Sequence, residues 1–208
     1  NGIRCVGKFL YDHGMVDINE KDEITIETLS GIKKLKAYTS GGKVNRLRVD
    51  MGKAILEPKE IPVVLDGDKV VDRPVEIAGK NYNITCVSMG NPHCVVFMDD
   101  IDNLDIETVG PEFENDKLFP ERVNTEFVTV LDDHTIKMRV WERGSGETWA
   151  CGTGACAVAV AACENGFCKK GEDIKIKLKG GDLIINYTDE TVYMTGNAEK
   201  VFEGEVEV

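Results

Sequence analysis

The segment Gly154–Asn165, GACAVAVAACEN, constrains the fold more than any other. Nearly every residue is Ala, Val or Cys, and Gly166 follows as a suitable helix terminator. Wound as a helix, this stretch is apolar on every side, so it has no face to offer water and must be wrapped by other elements. A chain of 208 residues that is 42% hydrophobic has the material for such a core.

A second segment, Gly2–His13 (GIRCVGKFLYDH), reads the same way and also ends at a glycine, Gly14. Asn1-Gly2 falls on Thr153-Gly154, and the two terminal glycines follow at equal spacing. Three alternating segments come after each helix: Glu23–Leu29, Lys33–Tyr38 and Val44–Gly52 in the first copy, Asp173–Leu178, Asp182–Tyr187 and Val192–Gly196 in the second. Gly41-Gly42, Gly180-Gly181 and Asp66-Gly67 mark turns between strands. The pattern predicts two copies of one unit, each a buried helix followed by three strands. Lys53–Ala150 reads as a long strand-rich stretch before the second helix. Nothing comparable precedes the first helix, so the expectation is a first domain without its opening part: residues 1–52 with a C-terminal strand 197–208, and a second domain 53–196. The residue that would pair with Cys151 is then expected before Asn1.

Net charge is −12, with the acids spread along the chain, which argues against nucleic acid or an anionic membrane as partner. No apolar run has the length of a membrane span, and no signal peptide is recognised at the start. Seven cysteines, an odd count, suit reduced thiols in the cytoplasm. There is no C-x-x-C pair, so zinc has little support although His93 and Cys94 are adjacent.

Glu142–Ala157, ERGSGETWACGTGACA, carries the chemistry. A glycine-rich loop delivers Cys151 to the start of the buried helix, where free N–H groups and the dipole favour anions and should lower the thiol pKa. A substrate carboxylate could sit on those N–H groups, with Gly152 and Gly154 allowing close approach. The motif lacks the third glycine of a dinucleotide fingerprint and the Gly-Lys-Ser/Thr of a phosphate loop. Glu142 could orient or deprotonate the thiol, and Arg143 could clamp a second carboxylate; the plainer reading of both is a solvated strand end. Asn91 and His93 in GNPHC, and Asn124 in RVNTEF, sit at strand edges. Alone, His93 reads better as a structural histidine, and the two asparagines as turn formers.

Together these residues resemble the diaminopimelate epimerase family. Glu142–Ala157 matches its cysteine signature, Gly90–Val95 (GNPHCV) and Asn124–Val128 (NTEFV) match two further segments, and Asn1–Cys5 (NGIRC) resembles the tail of its first cysteine motif. The resemblance implies an α+β fold of two pseudo-repeated domains, each a strongly curved, mostly antiparallel sheet or barrel around a central helix, the first domain truncated. It implies conversion of LL- to meso-diaminopimelate by two cysteines facing opposite sides of Cα, with no pyridoxal phosphate or metal. Cys151 is one of the pair, Glu142 assists it, and His93 assists the other. Asn1, Gly2, Asn91, Asn124, Arg143, Gly152 and Thr153 bind substrate. A homodimer is implied. The partner cysteine belongs two positions before Asn1, so this chain alone is expected not to turn over unless an N-terminal fragment joins it. The alternatives are another cofactor-independent racemase, of the proline racemase kind, and a binding fragment without turnover.

Overall fold

A computed structural model describes residues 1–18, 22–29 and 31–207. They group into two compact units, Asn1–Asp50 with Thr195–Val208, and Met51–Met194.

In the first unit, helix α1 (Gly2–Asp12) precedes strands β1 (Glu23–Thr28), β2 (Gly31–Ser40) and β3 (Lys43–Asp50). The strands pair antiparallel in sequence order. Gly41 and Gly42, both at positive φ, make the tight β2–β3 turn that the sequence predicts. Leu35, Leu47 and Val49 alternate onto one face and are fully buried. Gly7 lets α1 approach that face: a Cβ there would stand 2.8 Å from Leu35 and 2.9 Å from Leu47.

Two expectations need correction in this unit. α1 is not a buried helix: only Arg4 and Gly7 are buried, while Val6 and Phe9 are 45% and 51% exposed. Its sequence, unlike that of the second helix, is amphipathic, and only the face turned to the strands is covered. The expected C-terminal strand 197–208 is also absent among the described residues. Regular structure ends at Asn197, and 198–207 pair with no strand; Val208 lies outside the described residues.

The second unit contains a short 3-10 turn (Pro58–Glu60), β4 (Arg73–Ile77), β5 (Lys80–Ser88), β6 (Pro92–Phe97), α2 (Ile106–Glu114), β7 (Asn124–Asp132), β8 (Thr135–Glu142), β9 (Gly146–Thr148), α3 (Gly152–Glu164), β10 (Asp173–Leu178) and β11 (Gly181–Tyr187), and runs into β12 (Val192–Asn197). The strand order is β12-β11-β10-β8-β7-β6-β5-β4, with β9 beside β8. Most pairs whose register is resolved are antiparallel, but β6–β7 and β8–β10 are parallel. Parallel neighbours need a long crossover, and here α2 and α3 supply the two. Asp66-Gly67 lies in the loop before β4 and joins no pair of strands.

α3 is the wrapped helix of the sequence: Ala155–Ala162 are all fully buried. It packs against β5, β6, β7, β10 and β11. On the other face of the same sheet, Cys86, Cys94, Val96 and Phe127 join Ile106 and Phe113 of α2 in a second core. The inner strands are therefore covered on both sides. Gly166 takes positive φ, and Phe167 N–H donates to Ala162 O at 2.9 Å, closing α3 with a glycine cap. α1 ends alike at Gly14, with Met15 N–H on Leu10 O at 2.9 Å.

Candidate active site

The site in the second unit follows from strand alternation and one crossover. Side chains two apart on a strand share a face. In β6, Cys94 and Val96 face the α2 core, which turns His93 to the α3 side. In β7, Phe127 faces the α2 core, which turns Asn124 and Glu126 to the α3 side. His93 and Cys94 therefore point opposite ways and form no joint metal site. Among the described residues, one acid–histidine group has ligand spacing, Asp132, Asp133 and His134. It is exposed, on the β7–β8 turn, at the other end of β7 from Asn124.

Cys151 is the N-cap of α3, with extended backbone (φ −118, ψ 111). Gly154 N–H donates to its sulfur at 3.4 Å, and Thr153 Oγ1 lies 3.6 Å from it. Only 5% of the residue is exposed. The helix start does not lower its pKa as expected. Burial pushes the thiol up to about 12, Glu126 and Glu142 push the same way, and Thr153 and Gly154 pull against them. Two nearby carboxylates and the loss of water outweigh two hydrogen bonds, so the sulfur carries its proton at neutral pH.

Several other expected residues gather around this mouth. Asn91 Nδ2 donates to Thr153 Oγ1 at 3.3 Å, and Asn91 Oδ1 is 3.1 Å from His93 Nε2. The Thr148 hydroxyl donates to Glu142 Oε1. Asn124 is buried, with both ends of its amide in use: Nδ2 donates to Pro92 O at 2.9 Å and Oδ1 accepts from Arg143 N–H at 2.9 Å. It ties the starts of β6 and β7 to the Glu142–Arg143 turn. The Arg143 guanidinium donates to Glu121 O at 2.8 Å. Gly152 is the first residue of α3. Asn1 and Gly2 belong to the first unit, where Asn1 is the N-cap of α1 and its Oδ1 accepts from Arg4 Nη2 at 3.0 Å.

One participant has no place in the expected site. Glu126 is fully buried, with Oε1 2.7 Å from His93 Nδ1. Burial raises its carboxyl above the usual range although His93 pulls it down, and Glu142 adds to the rise. The signal in the sequence was faint: an acid two residues after Asn124, hence on the same strand face, and directly before the apolar Phe127-Val128. Gly154 makes room for it: a Cβ there would stand 2.5 Å from Glu126 Oε1.

The site is thus a buried, protonated thiol at a helix mouth, ringed by amide, hydroxyl and carboxyl groups, an arrangement suited to moving a proton. The fold carrying it is of the racemase and epimerase class. A hydroxyproline epimerase from Agrobacterium vitis is similar with a TM-score of 0.70 at 15% identity, over 95% of this chain and 62% of that one. A PhzF-family phenazine biosynthesis protein from Bacillus anthracis gives 0.62 at 18%, over 100% and 75%. At such identities the likeness is one of fold. Sequence narrows it. Residues 85–201 match the family described as diaminopimelate epimerase. Diaminopimelate epimerases from Agathobacter rectalis and Acetivibrio thermocellus are 51% and 52% identical over the whole of this chain, which covers 74% and 73% of theirs. The chain belongs to the diaminopimelate epimerase family.

Proposed function

We propose that the protein interconverts LL- and meso-diaminopimelate by proton transfer at Cα, with Cys151 as the acid–base on one face of that carbon. The observation that carries this reading is the placement of the Cys151 sulfur at the mouth of a helix buried from Gly154 to Ala162, beside Thr153 and Gly154 N–H. Family membership supports the substrate. The first-turn N–H groups of Gly152 and Thr153 have no carbonyl within the helix to bond, which suits the substrate α-carboxylate. Negative charge that develops as the α-proton leaves is met by the same helix end. Arg143 serves the distal carboxylate, and Glu142, held by Thr148, orients the thiol. In its protonated form Cys151 is set to deliver a proton. The substrate ammonium, the Thr153 hydroxyl and Gly154 N–H favour the thiolate that takes one. A planar carbanion is inverted only if the second transfer uses the opposite face, so Cys151 performs one of two. No helix among the described residues is long and apolar enough to cross a membrane. All seven cysteines are free, which suits a reducing compartment, and we place the protein in the cytoplasm.

The test is incubation of the intact protein with LL-diaminopimelate in deuterium oxide, following Cα labelling and the meso isomer. Cys151→Ala should lower formation of the meso isomer by about 100- to 10,000-fold, the usual share of a positioned acid–base. Meso isomer formed undiminished in that variant, or labelling of proline in place of diaminopimelate, would refute the assignment.

A further inference from the structure

Glu126 is a buried ionisable group that the proposed proton transfer does not use. Its Oε1 is 2.7 Å from His93 Nδ1, and its Oε2 has no hydrogen-bond partner among the described residues. The other ring nitrogen, Nε2, is 3.1 Å from Asn91 Oδ1, while Asn91 Nδ2 is committed to Thr153 Oγ1. A carbonyl oxygen only accepts, so Nε2 carries a proton. Nδ1 and Oε1 at 2.7 Å also need a proton between them. Ring and carboxyl together therefore hold one proton more than a neutral imidazole beside a carboxylate. Whichever partner keeps it, the pair has no net charge. A fully buried carboxylate with one oxygen unpartnered would otherwise carry a heavy desolvation cost.

We propose that Glu126 and His93 form a buried pair holding one shared proton and no net charge, and that this pair is the fixed end of a hydrogen-bonded chain, through Asn91 and Thr153, that ends as a donor on the Cys151 sulfur. Thr153 Oγ1 already accepts from Asn91, which leaves its hydroxyl hydrogen for the sulfur 3.6 Å away. Glu126 is a positioning residue: it fixes the His93 ring, and the ring sets the sense of every later bond. The titratable groups facing Glu126 are His93, Glu142 of β8 and Cys151 at the α3 mouth, with Cys94 behind the sheet. Glu142 and an ionised Cys151 are negative, so a neutral pair spares the site a third negative charge. The bearing of the chain on turnover rests on Cys151 as proton carrier; the proton count of the pair does not.

The test is long-range proton–nitrogen NMR of the labelled protein at pH 7, with His93→Gln identifying the His93 signals. His93 Nε2, which faces the Asn91 carbonyl oxygen, should show a protonated shift in the wild type and in Glu126→Gln alike. A wild-type ring with a bare Nε2 overturns the proposal without any variant. Iodoacetamide labelling of Cys151, read by peptide mass, gives a second arm. Replacing a neutral pair by neutral groups should leave the rate within about threefold, whereas removing an uncancelled carboxylate charge should raise it about tenfold or more, one pKa unit being a factor of ten. The larger rise counts against the neutral pair. Failure of diaminopimelate to exchange its α-hydrogen, with the Nε2 proton present, would sink the proposed function and leave the pair standing.

Discussion

At the residue scale, Gly154 and Cys151 set the terms of the site. A methyl group at Gly154 would come 2.5 Å from Glu126 Oε1 and 3.2 Å from both Cβ and Sγ of Cys151. Alanine ordinarily gains about 1 kcal/mol over glycine inside a helix. Here crowding of about 1–3 kcal/mol opposes it, because the carboxylate and the thiol have no room to retreat. Gly154→Ala should thus cost little net stability by urea unfolding yet cut kcat about 100-fold, since displacement of catalytic groups by about 1 Å has that effect. Unchanged kcat would show that neither group needs its place. For Cys151, a thiol pushed up to about 12 has little thiolate at any ordinary pH. Its alkylation rate should climb about tenfold per unit from pH 7 to 10. A plateau below pH 8 would mean that the helix start dominates after all. Cys151 was legible as the reactive position from its glycine-rich setting. The sign of its pKa shift was not, because burial, the largest cause, depends on the strands that pack around the start of α3.

At the element scale, α2 is the part that sequence reading missed. Ile106–Glu114 contains Gly110 and Pro111, both poor helix interiors, and its neighbours read as strands. Tertiary packing forms it. Asp105 caps its start by accepting from Thr108 N–H. Gly110 lies flat on Trp141, where a Cβ would come within 2.3–2.6 Å of ring atoms. At its end, the buried Glu114 carboxylate accepts from Trp141 Nε1 at 2.7 Å, Gly144 N–H at 2.9 Å and Arg122 at 3.0 Å. It pins the turn that carries Glu142 and Arg143. Gly110→Ala should destabilise by about 1–3 kcal/mol in urea, the reverse of the usual helix preference, because a rigid indole cannot yield. Glu114→Ala should cost about 1–3 kcal/mol by leaving buried donors unpaired, and should raise KM for diaminopimelate by loosening Arg143. A variant as stable and as tight-binding as wild type would remove α2 from the support of the site.

At the scale of the whole molecule, buried thiols link stability to alkaline pH. Burial lifts Cys151 and Cys163 to about 12 and Cys168 to about 11, from an ordinary 9.0. Each binds its proton more tightly folded than unfolded, so its contribution is whole below about pH 9 and is lost as pH rises towards 11–12. The melting temperature should fall across pH 9–11, and Cys163→Ala with Cys168→Ala should flatten the fall; an unaltered slope would place its origin elsewhere. By itself, the sequence determined the α3 helix and its need for a wrapping, the repeated order of helix and three strands, the hairpin and cap glycines, and the cysteine at the helix mouth. These are local or periodic properties, written in consecutive residues. Tertiary structure alone decided that α1 is covered on one face, that 198–207 form no strand among the described residues, that α2 exists, and that Glu126 stands behind His93 and Gly154. Those outcomes depend on which strands become neighbours. A parallel β6–β7 pair joins residues 93 and 126 across a crossover whose end points no local pattern specifies.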